Sequence, residues 1–207
     1  MKKETIEKRK KEIMEKAIEI FAKKGYEKTS LDEIAKKLKI SKPAIYLYFK
    51  NKEDLFLEIL KNKFNEMLFE LEKIISSKNS SFEKLSQFVK IYIDKHLTSD
   101  ENFFKILQSA NIKISGETKK MLKKKFTGCY RPLIDKLVGL IKDCIKDGYL
   151  KDGDPLFYTL ALFGILDRPL FASFTAEKKF SFINADYYKT VLNLFLNGAG
   201  RKIEKGV

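Results

Sequence analysis

Apolar residues along the 207-residue chain recur at intervals of three and four rather than two, and few Pro or Gly interrupt them. That period predicts a protein that is almost entirely helical. Ile6, Ile13, Ala17, Ile20 and Phe21 mark one stripe of a first helix over residues 4–24. Gly25, behind Lys23 and Lys24, is its natural left-handed stop. Ser30-Leu-Asp-Glu33 has the spacing of a capping box and opens a second helix ending near Leu38. Ser41 opens a third over 42–49, and because Pro43 has no N–H its hydroxyl must serve the amide of Ala44. Asn51 and Asp54 then start a long fourth helix, whose apolar stripe runs from Leu55 through Phe64 and Leu71 to Ile75.

Ser76-Ser-Lys-Asn-Ser-Ser81 is the one polar, small-residue break, and a separate body is expected after it. Ser80 and Glu83 cap a fifth helix over 82–97. Asp100 precedes a sixth over 101–111, a seventh covers 117–147, Asp154-Pro155 starts an eighth over 155–174, and Asn184 precedes a ninth over 184–198. Pro132 and Pro169 are expected to kink or divide the helices that hold them. No internal repeat is visible.

With 44% apolar residues the chain can bury a real core, which excludes a disordered tail or a disulfide-held miniature. The formal charge is +14, and residues 1–52 hold 16 basic against 8 acidic side chains. A polyanionic partner is the expectation, although only four of the basic residues are Arg and a lysine-rich composition has other origins. Cys129 and Cys144 match neither a thiolate metal clamp nor a redox pair, and His96 is the only histidine, so no metal site and no cofactor are expected. The charged start and the absence of a long apolar run point to a cytoplasmic protein without membrane contact. No nucleophile, paired-carboxylate or phosphate-loop signature favours an enzyme.

Two short helices joined by a four-residue turn, inside the most basic quarter of the chain, fit a helix-turn-helix. Ser41-Lys-Pro-Ala-Ile-Tyr-Leu-Tyr-Phe-Lys50 has no carboxylate in ten residues, as suits a face that meets phosphate. Gly25-Tyr26, Thr29-Ser30, Ile34-Ala35, Ser41-Lys42, Ile45-Tyr46, Tyr48-Phe49 and Lys52-Glu53-Asp54-Leu55 stand in the order and spacing of the tetracycline-repressor (TetR) family. The chain resembles that family over about residues 7–67. It departs at Lys39, where the family usually has Gly; a left-handed non-Gly residue costs on the order of 1 kcal/mol.

The resemblance implies an all-α protein in which 1–52 is a helix-turn-helix DNA-binding domain, helix four (52–75) connects, and 76–207 binds an effector and dimerises. It implies that Ser30 and its helix start hold a phosphate, and that Ser41, Lys42, Pro43 and Ala44 enter the major groove. Lys42 would donate to guanine, while Pro43 and Ala44 would touch a thymine methyl. Tyr46 and Tyr48 would reach backbone or base edges, Lys52 would clamp a phosphate, and Lys39 would add a phosphate contact. The plainer reading makes Ser30 and Ser41 helix caps, the tyrosines core cover and the lysines solvated charge.

After residue 80 lie 18 of the 26 Phe and Tyr. Large rings fill helical cores, but the resemblance also implies a ligand pocket, and an aromatic interior suits a flat or lipophilic effector. Phe103, Phe104, Leu107, Gln108, Phe126, Tyr130, Phe163 and Asp167 are the candidates, with Arg168 a ready partner for Asp167. The apolar helices at 156–171 and 187–196 are the expected homodimer face. The function so implied is a dimeric repressor, released from double-stranded, pseudo-palindromic operator DNA by a small molecule. A transcriptional activator of the same fold, or a binder of nucleic acid by charge alone, is the alternative.

Overall fold

The computed structural model describes residues 3–98, 102–103, 106, 116–175 and 186–199. All regular structure among them is helical. The helices are α1 (Lys3–Lys24), α2 (Leu31–Lys37), α3 (Lys42–Tyr46), α4 (Lys52–Ile75), α5 (Ser81–Ile91), α6 (Gly116–Lys146), α7 (Pro155–Thr175) and α8 (Tyr187–Ala199), with a π-helical segment, Tyr92–Thr98, continuing α5.

Most of these boundaries have a local chemical cause. Gly25 takes φ 82° and donates its N–H to Phe21 O at 2.8 Å, closing α1. Ser80 and Glu83 make a full capping box on α5: the Ser80 hydroxyl accepts from the Glu83 amide at 3.2 Å, and the Glu83 carboxylate accepts from the Ser80 amide at 2.8 Å. The amide bond, with a second donated by the Ser80 hydroxyl to the same carboxylate at 2.9 Å, holds the Glu83 carboxyl below its usual range. Asn51 Oδ1 accepts from the Asp54 amide at 2.8 Å, while Asp54 reaches back to the Lys50 amide at 2.9 Å. Asp154 caps α7 through the Phe157 amide at 2.8 Å.

Other expectations need correction. At α2 only half of the box forms: Ser30 accepts from Glu33 N at 3.2 Å, but the Glu33 carboxylate pairs with Lys24 instead. Helix α3 ends at Tyr46 rather than 49, because the amides of Tyr48 and Phe49 both turn onto Ile45 O, each at 3.1 Å. The fifth helix does not stay α-helical to 97 but widens into a π-helix at Tyr92. Neither proline divides its helix: α6 runs through Pro132 and α7 through Pro169. Pro169 cannot donate to Ile165 O; the Tyr187 hydroxyl of α8 donates to that carbonyl at 3.3 Å. Most of the sixth helix expected over 101–111, and Asn184 before the last, lie outside the described residues.

The chain forms two compact units, one of residues 1–64 with 101–130 and one of 65–100 with 131–207. The polar run at 76–81 is therefore a turn inside the second unit, not the seam between compact units. In the first unit Ile13, Ala17, Ile20 and Phe21 of α1 are buried, together with Ile34 and Ala35 of α2, Ile45 of α3 and Leu55, Phe56 and Ile59 of α4. Phe21, Tyr26 and Phe56 form an aromatic triangle with centroids 4.9–6.0 Å apart. Ile6, expected in the stripe, is only partly buried, and Met14 is buried in its place. In the second unit Leu85, Phe88 and Val89 of α5 are buried, as are Leu137 and Ile141 of α6, Leu162 and Leu166 of α7, and Val191 and Phe195 of α8. Ser81 Oγ donates to Asp147 at 2.6 Å, tying the start of α5 to the end of α6. Cys144 is buried and Cys129 half-buried, both as free thiols.

Candidate nucleic-acid interface

The connection between α2 and α3 is fixed by backbone geometry. Ile40 N donates to Ala35 O at 3.0 Å and Lys39 N to Lys36 O at 3.2 Å, the two bonds of a Schellman stop. That motif puts its middle residue in the left-handed region, and Lys39 is there with φ 54°. A lysine thus makes the turn that glycine would make more cheaply, and its side chain is exposed. Ser41 follows with extended backbone, φ −70° and ψ 152°, and its hydroxyl accepts from Ala44 N at 3.3 Å. Lys42 and Pro43 occupy the first turn of α3, where the missing proline N–H breaks no helical bond.

Helix α3 is anchored by its apolar side. Ile45 and Phe49 are buried, while Ser41, Lys42, Pro43 and Tyr46 are exposed and Ala44 and Tyr48 half-buried. Four side chains of the implied DNA-reading set therefore share one outward segment, with no covering element among the described residues. Leu47, which is not among the residues expected to meet DNA, is 83% exposed beside Tyr46. Its alternation with buried Ile45 and Phe49 was the available signal.

Electrostatic partners change the picture drawn from sequence. Helix α3 lacks carboxylates, but α2 supplies one: Lys42 Nζ stands 2.7 Å from Asp32 Oδ2. The hydrogen bond and charge of Asp32 raise the Lys42 pKa, so the ammonium is held in its charged form. Both first-turn acids of α2 therefore carry a lysine, Glu33 taking Lys24 from α1 and Asp32 taking Lys42 from α3. Lys52 is also engaged. Its ammonium donates to Tyr26 O at 2.9 Å and to Glu27 O at 3.3 Å, and lies 4.3 Å from the Tyr26 ring centroid. It ties the start of α4 to the loop after α1. Burial, and behind it the Glu53 carboxylate, holds the Tyr26 phenol well above its usual range. Ser30 is exposed at the start of α2 with its hydroxyl given to the Glu33 amide.

The effector candidates separate into two groups. In the first unit Phe103 is buried and packs edge-on against Phe64 at 6.3 Å, and Tyr130 meets the same ring at 5.6 Å. In the second unit buried Phe163 packs edge-on against Tyr92 at 5.4 Å and Phe88 at 6.5 Å. Asp167 of α7 accepts a hydrogen bond from Tyr92 Oη at 3.0 Å. Its partner is thus a tyrosine of the π-helical segment rather than the adjacent Arg168, whose side chain is exposed. Burial raises the Asp167 carboxyl to about 6 against the opposing pull of the Tyr92 bond, and burial with the nearby Asp167 raises Tyr187 to about 12. Phe104, Leu107 and Gln108 lie outside the described residues; Phe126 is helical, and its side chain is outside them too.

A short helix capped at its start by Ser41, joined to α2 by a tight turn and exposed on its outer side, with all regular structure among the described residues helical, is the geometry of the helix-turn-helix class of DNA-binding proteins. Residues 13–59 match the family described as "Bacterial regulatory proteins, tetR family", and this N-terminal region is similar to that family. It is 28% identical over 199 residues to the fatty acid metabolism regulator protein of Bacillus subtilis, covering 92% of this chain and 95% of that one. It is 32% identical over 125 residues to IcaR of Staphylococcus epidermidis, the negative transcriptional regulator of the biofilm operon icaADBC, covering 59% of this chain and 65% of that one. Among solved structures it is similar to the transcriptional regulator FadR from Bacillus subtilis in complex with stearoyl-CoA, with a TM-score of 0.77 and 25% identity over 90% of this chain and 97% of that one.

Proposed function

We propose that this chain is a dimeric repressor that covers a pseudo-palindromic operator and is released by a lipophilic small molecule. One observation carries the DNA half of that reading: the segment of α3 and its flanks, residues 41–49, buries Ile45 and Phe49 while Ser41, Lys42, Pro43, Tyr46 and Leu47 are exposed. Pro43 and Leu47 offer apolar contact to thymine methyls and Lys42 offers donors to guanine. Ser41 and Ala44 give their hydroxyl and amide to each other and serve mainly to build the helix start. Ser30 and the start of α2, with Lys39, Tyr46 and Tyr48, supply phosphate or edge contacts. Lys52 acts on the DNA chiefly by fixing the start of α4.

In this proposal residues 1–52 form the DNA-binding domain, α4 connects, and 76–207 hold the effector and the dimer face. Leu156, Phe157 and Leu160 of α7 and Leu194 of α8 are large apolar side chains left exposed on the two helices expected to pair. An effector rich in hydrocarbon suits the buried rings of Phe163, Phe88 and Tyr92, and the similar Bacillus subtilis FadR has been seen with stearoyl-CoA. Binding would bias α4 and so the spacing of two recognition helices, which must lie about 34 Å apart to enter successive major grooves. By linkage, operator would weaken effector binding by the same factor that effector weakens operator binding. Selection from a random duplex pool, followed by footprinting with and without stearoyl-CoA, tests the whole reading. The expected result is a palindromic footprint that stearoyl-CoA removes; recovery of no preferred sequence would overturn it.

A further inference from the structure

The Asp32–Lys42 pair is the one feature of the reading head that the DNA-contact list does not absorb. Asp32 is exposed in the first turn of α2, and its carboxylate sits 2.7 Å from the ammonium of the first residue of α3. An acid on the face that meets a polyanion opposes binding, and it neutralises the lysine placed to read bases. We propose that Asp32 is a specificity-determining residue: it masks Lys42 from backbone phosphates and releases or shares it only where a guanine edge is presented. This inference rests on the DNA-recognition reading above.

The physics follows from what each partner offers. A lysine ammonium has three donors and no acceptor. Held by Asp32 it spends one donor, and the remaining two can still meet the O6 and N7 acceptors of a guanine in the major groove. Toward a phosphate, by contrast, what counts is net charge, because non-specific affinity comes from cations displacing condensed counterions. A neutral Asp–Lys pair displaces none. The pair thus removes one cation from non-specific binding while leaving its hydrogen-bonding capacity for the specific complex, which is discrimination by penalising the wrong partner. Tyr46, whose phenol adds slightly to the raised Lys42 pKa, lies on the same exposed side.

The test compares wild type, Asp32→Asn, Lys42→Ala and the double variant. Each binds the duplex that wild type selects from a random pool and a scrambled duplex of equal length, across a salt series. Asp32→Asn is expected to tighten binding to the scrambled duplex about fivefold, the coupling of an exposed ion pair. Its salt slope there should steepen by about 0.9, one freed cation. Binding to the selected duplex should change much less, so the ratio between the two falls. In the Lys42→Ala background Asp32→Asn should no longer alter that ratio. Equal tightening on both duplexes, no change on either, or a ratio that falls equally without Lys42 would each overturn the role of Asp32. A wild type that selects no sequence would instead overturn the DNA-recognition reading itself. Circular dichroism melting confirms that the four proteins are equally folded; if Asp32→Asn melts early, Asp32→Ser repeats the comparison.

Discussion

Lys52 donates to two backbone carbonyls of the loop after α1 and lies over the Tyr26 ring, so its contribution is structural before it is electrostatic. Lys52→Met should destabilise the protein by about 1–2 kcal/mol in urea denaturation, the scale of charge-assisted hydrogen bonds with a cation–π contact. A variant as stable as the wild type would show that the ammonium is free to serve phosphate alone. Asp167 makes a second prediction. Its carboxyl is raised to about 6 by burial, so between about pH 4 and 6 the folded state holds a proton that the unfolded state has released. This group therefore lowers stability as pH rises through that window, and the loss is complete above the folded value. Asp167→Asn keeps an acceptor for Tyr92 and removes the titration. It should melt near the wild type at pH 4 and be more stable at pH 7, by about 1–3 kcal/mol. Parallel melting curves of the two proteins across that range would refute the assignment.

Elements that the sequence announced are those whose signals lie within four residues of each other. The box at Ser80 and Glu83, the Asp154 cap and the Gly25 stop all formed where the spacing placed them, because a cap is a local bond between neighbours. What stayed hidden was chosen by residues distant in sequence. Glu33 left its own capping box for Lys24, Asp32 took Lys42, Asp167 found Tyr92 rather than its neighbour Arg168, and Lys52 found the loop after α1. The uninterrupted run of α7 through Pro169 has the same origin. Proline denies Ile165 O its helical donor, and Tyr187 of α8 supplies one. Tyr187→Phe should cost about 1 kcal/mol by leaving that carbonyl unpaired. In a Pro169→Ala background, where an amide can return to the carbonyl, the cost should largely vanish. An unchanged penalty in the double-mutant cycle would mean that the tyrosine stabilises through packing alone.

For the whole molecule, helical periodicity gave the fold class, and the ordered motif from Gly25 to Leu55 gave the family that the comparison over 13–59 supports. The effector candidates were less legible, because a ring that lines a ligand site and a ring that fills a core follow the same stripe. The coordinates distribute them between an aromatic group around Phe64 and another around Tyr92. Dimerisation can be tested on the exposed apolar side of α7: Leu160→Glu should give a monomer of unchanged helicity in sedimentation equilibrium, with weakened hold on DNA. A dimer of undiminished affinity would move the interface elsewhere. The most direct check of the central claim, that α3 reads bases, is Lys42→Ala measured against wild type on the selected duplex and on variants changed one base pair at a time. The account predicts that discrimination disappears at one or two positions, by about 1–3 kcal/mol, while the other positions keep theirs. Weakening by one common factor on every sequence would make Lys42 a backbone contact and contradict it.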